Sequence, residues 1–110
     1  EFMPKEDRRI IFSNDEVYKA VYALSVQKQL RKPPPGAVQS IIEKNDDAKT
    51  IILKMENPAD NSKDEREYSR DFIAASLMVF CRGAGIPLPK SARKSVMVIE
   101  GDVILRVLVG

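Results

Sequence analysis

The chain has 110 residues, 44% of them hydrophobic and 31% charged, with a net charge of +2 at neutral pH. This describes one globular domain that can bury a core unaided. It excludes a disordered chain, and it excludes a global field that by itself demands a polyanionic partner. With no histidine and one cysteine, Cys81, the chain also lacks the commonest general base and metal ligand, and no internal disulfide can form.

Glu1-Phe2 ahead of Met3 reads as a cloning scar, and residues 3–7 as a flexible N-terminus. Arg8–Phe12 (RRIIF) is the first strand. Ser13 with Glu16 is a capping box, and Phe12 with Val17 a hydrophobic staple, so a helix starts near Asn14. Val17, Ala20, Val21 and Leu24 form its inner stripe, with Tyr18 and Tyr22 alongside. It should end before Pro33, since Lys32 precedes a proline. Pro33-Pro34-Pro35-Gly36 is then a stiff, extended connection.

Val38–Lys44 and Lys49–Glu56 predict a hairpin around Asn45-Asp46-Asp47-Ala48. Asn57–Ser62 is a loop. The segment Ser62–Gly85 predicts the central helix. Ser62 and Glu65 form a second capping box, and Phe72–Cys81 is apolar on nearly every side. The Ser76 hydroxyl can bond back to the carbonyl of Phe72. Gly83 and Gly85 suit its end, and Pro87 and Pro89 prevent a restart. Val96–Ile99 and Val103–Val109 predict a last hairpin turning at Glu100-Gly101-Asp102. Its final strand is apolar on both faces apart from Arg106, which places it centrally or beneath another chain. No internal repeat is visible, and the end on Val109-Gly110 fits a fragment of something longer.

The fold class is α+β: two helices packed on a mostly antiparallel sheet of about five strands. The order β-α-β-β-α-β-β is that of a ferredoxin-like plait with an extra C-terminal strand. A more curved five-stranded sheet, its last strand pairing across a two-fold axis, is the second choice.

Chemistry is argued mainly by exclusion. Cys81 sits near a helix C-terminus, whose dipole disfavours a thiolate, and reads as a small buried hydrophobe. Arg82-Gly83-Ala84-Gly85 follows a helix, whereas a phosphate-cradling glycine motif precedes one. The adjacent acids Asp46-Asp47 and Asp64-Glu65 are solvated and lack the contrast in environment that separates acid from base. The expectation is a non-enzyme with no cofactor, no metal and no membrane contact, in the cytoplasm.

The surplus apolar surface predicts a protein-interaction or regulatory domain that self-associates, as a homodimer or with a protein partner. Its interface candidates are Tyr18, Tyr22, Tyr68, Met78, Ile104, Arg106 and Leu108. The alternative is nucleic-acid binding through the basic loop 82–94, carrying Arg82, Lys90, Arg93 and Lys94, and the basic helix end at Lys28, Arg31 and Lys32. Antiparallel helices would put those clusters at opposite ends. A small-ligand carrier, or an enzyme completed by a partner, is a third class.

Overall fold

A computed structural model describes residues 5–110; the readings of Glu1, Phe2 and Met3 fall outside it. The elements are β1 (Glu6–Phe12), α1 (Asn14–Gln27), β2 (Ala37–Lys44), β3 (Asp47–Asn57), β4 (Ser62–Ser69), α2 (Arg70–Gly83), β5 (Arg93–Ile99) and β6 (Asp102–Val109). The α+β class holds. Among the described residues the strands number six, in two antiparallel three-stranded sheets ordered β1-β6-β5 and β2-β3-β4. The expected single sheet is therefore absent among the described residues, and the pairing does not establish a ferredoxin-like plait. β6 is central, with both edges occupied. It fulfils the expectation drawn from its apolar faces and leaves no edge free for pairing across an axis.

The largest difference from expectation lies at Ser62–Ser69. This is strand, paired with β3 from Thr50↔Ser69 to Asn57↔Ser62, so Ser62 and Glu65 form no capping box. Ser69 caps α2 instead, accepting from the Phe72 N–H at 3.0 Å. The alternation of β4 is hidden because its inner positions include Asp64 and Arg66 as well as Tyr68. A charged strand at a sheet edge also resists pairing with other chains. The Asn57 side chain starts the reversal by accepting from the Ala59 N–H at 3.0 Å.

At α1 the capping box is present. Ser13 Oγ accepts from the Glu16 N–H, and Glu16 Oε1 from the Ser13 N–H. The helix stops at Gln27, well before the prolines. Gln29 takes a left-handed φ of 57°, and the Leu30 N–H bonds the Ser25 carbonyl at 2.8 Å. α2 ends the same way, through Gly85 at φ 75° and the Ile86 N–H on the Cys81 carbonyl. Both are Schellman closures.

That likeness extends along the whole chain. β1-α1-β2-β3 and β4-α2-β5-β6 are two βαββ units. The buried positions of α2 each fall 56 residues after a buried position of α1: Val17 to Ile73, Ala20 to Ser76, Val21 to Leu77, Ser25 to Cys81. In β3 the inward-facing buried set is Ile51, Leu53 and Met55, and in β6 Val103, Leu105 and Val107. Ile51 pairs with Tyr68 of β4 as Val103 pairs with Phe12 of β1. Each hairpin thus takes its third strand from the other unit. The repeat escapes a reading by residue identity because few identical residues recur, such as Ser13 with Ser69 and Pro33 with Pro89, and the core positions share only apolar or small character. A register shift near Glu43/Lys44 also breaks the constant spacing.

One core joins the inner faces of both sheets to both helices. Phe12, just before α1, meets Phe80 near the end of α2 edge-on at 5.8 Å, so the helices run antiparallel. The first residue of each helix reaches across to the other sheet. Asn14 Nδ2 donates to the Val38 and Gln39 carbonyls of β2. Arg70 donates to the Val96 carbonyl of β5 and the Ala48 carbonyl, and pairs with Glu43. β2 and β5 make no ladder with each other, and these side chains latch the sheets together.

Candidate functional site

The expected interface residues separate into three places. Ile104, Arg106 and Leu108 lie on the face of the β1-β6-β5 sheet that points away from the helices. Register places Ile11, Ile104 and Met97 in one row across that sheet, and Arg9, Arg106 and Ser95 in the next. Ile99 continues the apolar row; Ile11 is 62% exposed and Ile99 46%. Ile104 is itself buried beside its neighbours. The other sheet repeats the pattern in part: Ile42 stands opposite Ile52, but Glu67 of β4, paired with Lys44, takes the place of Ile11. The molecule measures 59 × 30 × 20 Å, a thickness that suits one helix layer on one sheet layer. Among the described residues nothing covers the outer faces.

Arg106 binds Asp7 in a two-point contact, Nε to Oδ1 at 3.0 Å and Nη2 to Oδ2 at 2.8 Å. The hydrogen bonds and charge of Arg106 hold the Asp7 carboxyl below its ordinary range. Arg93 pairs opposite Leu108 on this same face. It does not join the other cations of the loop 82–94.

Those cations, Arg82, Lys90 and Lys94, line a cleft of about 370 Å³ between α2 and the α2–β5 loop, with Met78, Gly85, Ile86, Pro87 and Leu88 as its remaining wall. Arg8 of β1 fixes the loop, its Nη2 donating to the Pro87 carbonyl at 2.8 Å. Arg8 Nε is buried with no partner among the described residues. Cys81 is fully buried nearby, and burial pushes its thiol up in pKa against a smaller opposing pull from Arg8. This agrees with reading it as a packing residue.

Tyr18, Tyr22 and Tyr68 gather at the far end, beside the close of α1. The Tyr18 hydroxyl donates to the Pro34 carbonyl at 3.0 Å, and burial raises its pKa. Lys32 lies over the Tyr22 ring at 5.9 Å. Tyr68 stacks on Phe72, and its pKa is raised by burial while Arg66, and more weakly Arg31, pull the other way. Lys28, Arg31 and Lys32 follow α1, and Arg82, Lys90 and Lys94 follow or close α2. With antiparallel helices the two basic clusters stand at opposite ends, as expected.

Sequence reasoning missed Ile11, Ile42, Ile52, Met97 and Ile99. A usable signal was present. Strands alternate faces, so the adjacent apolar pairs Ile10-Ile11, Ile41-Ile42, Ile51-Ile52 and Val103-Ile104 must each put one residue outside. Arg8 carried no signal, because its role depends on a loop far along the chain.

No group of metal-binding side chains occurs among the described residues, and no helix among them is long and apolar enough to cross a membrane. No protein-family model matches the chain. Comparisons with curated proteins and with solved structures also give no match.

Proposed function

We propose that this chain is a non-catalytic interaction module that pairs with a second copy of itself through the outer faces of its two sheets. The carrying observation is the uncovered row Ile11–Ile104–Met97 with Ile99 beside it. An antiparallel sheet normally turns polar residues to water on its free side, and a contiguous apolar row there marks a partner surface. The internal likeness supports a second copy as that partner. Ile52 and Ile42 stand where Ile104 and Met97 stand in the other sheet, with Glu67 in the place of Ile11, so a copy turned about a two-fold axis lying in the plane of the face brings these apolar residues together in both halves. The Asp7–Arg106 pair, beside the row, belongs to the polar rim.

Sedimentation equilibrium across micromolar concentrations tests this reading. A dimer is expected. Ile11→Glu combined with Ile99→Glu should give a monomer with unchanged helical circular dichroism. A wild-type monomer at every concentration, or a double variant that still dimerises, overturns it.

A further inference from the structure

We infer that the cleft between α2 and the α2–β5 loop binds a small amphiphilic anion, a phosphate or carboxylate head on a short apolar body. The lining divides in two. Met78, Ile86, Pro87 and Leu88 supply an apolar wall, while Arg82, Lys90 and Lys94 supply positive charge with no acidic residue among the lining. None of these cations is paired with a carboxylate among the described residues. Lys94 Nζ reaches only the Ala92 carbonyl, at 3.3 Å. Behind the loop, Arg8 adds a further positive charge with an unpartnered Nε. Ligand sites of this kind join apolar walls to a few converging polar groups, and about 370 Å³ is enough for a small molecule.

The internal likeness supplies a control within the same molecule. The α1–β2 and α2–β5 loops close their helices identically, yet Val26, Pro34 and Val38 stand where Arg82, Lys90 and Lys94 stand in the second unit. The fold is therefore built without cations at these positions, and their convergence is not a requirement of the loop. A second depression shows the usual alternative. It is lined by Lys54 and Lys63 together with Glu56, Asp64 and Glu65, so its charges offset one another.

The test uses the whole chain and calorimetric titration with octyl phosphate, octanoate, octanol and inorganic phosphate, plus a single-stranded oligonucleotide. Saturable one-to-one binding is expected for octyl phosphate or octanoate, and whichever binds tighter identifies the head group. Octanol and inorganic phosphate should bind at least tenfold more weakly. Lys90→Gln with Lys94→Gln should weaken the amphiphile at least tenfold. The melting temperature and the solution mass should not move, which separates this site from the sheet-face association. Binding that survives the double variant overturns the inference. So does octanol binding as well as octyl phosphate, or an oligonucleotide that outcompetes the amphiphile.

Discussion

The two βαββ units share a skeleton and differ in how they finish it. Each uses a serine cap, a 14-residue helix, a Schellman closure and a proline-bearing loop. The first unit closes its helix through Gln29, the second through Gly85. The first latches the opposite sheet with a neutral amide, the second with a guanidinium. Its α1–β2 loop lies against tyrosines, while the other encloses a basic cleft. Positions that pack on the shared core are held to apolar or small residues, and positions that only link or line are free to diverge.

Substitution at matched positions tests this comparison, and the core comes first. Leu77→Ala should cost about 3–4 kcal/mol and Val21→Ala about 2 kcal/mol, both by removing fully buried methyl groups. Urea denaturation measures each, and a negligible loss at either position would mean that the matched helices do not share one core. The latches come next. Arg70→Ala should lose about 2 kcal/mol and Asn14→Ala less than about 1 kcal/mol, because charge-assisted bonds are the stronger kind. The longer 3.4 Å contacts of Asn14 point the same way, and equal losses would remove the distinction.

A smaller, opposite pair concerns the closures. Gln29→Gly should raise stability by about 1 kcal/mol and Gly85→Ala lower it by about the same, since a side chain in the left-handed region is strained. Thermal melts that move both variants in one direction would refute the matched geometry. The smallest effect follows acidification. Arg106 depresses the folded-state pKa of Asp7. The resulting stabilisation is complete above the unfolded carboxylate pKa, near pH 4, and is lost as pH falls through the lower folded value. Asp7→Asn should flatten that part of the stability profile, and an unchanged slope would show that the pair contributes nothing measurable.

The sequence was most legible where apolar spacing and cap chemistry agree. Ser13 with Glu16, the inner stripe of α1, the Ser76 back-bond to Phe72 at 2.8 Å and both turn-centred hairpins were all readable. Ser62–Ser69 was not, because a serine three residues ahead of a glutamate signals a helix start, and nothing local reveals that β3 offers its edge. The cations of loop 82–94 were visible as a cluster, but the departure of Arg93 to the outer face depends on strand parity from Arg93 onwards. Arg8 and Pro87 belong to opposite ends of the chain, and only folding brings them together.

The exchange of first strands also sets the order in which a newly made chain can fold. β2, β3 and β4 are consecutive, so their sheet can close as soon as they are synthesised. β1 is made first but pairs only with β6, Glu6 opposite Val109 and Phe12 opposite Val103, so it waits for the last strand to appear. Until then Ile10 and Phe12 have no sheet to join, and α1 has α2 beside it but lacks its contacts with β6. Such long-range closure slows folding and leaves apolar surface open meanwhile. The nascent chain is therefore most prone to aggregation just before β6 is complete, and binding by a chaperone should concentrate on the Arg9–Leu24 segment during that interval.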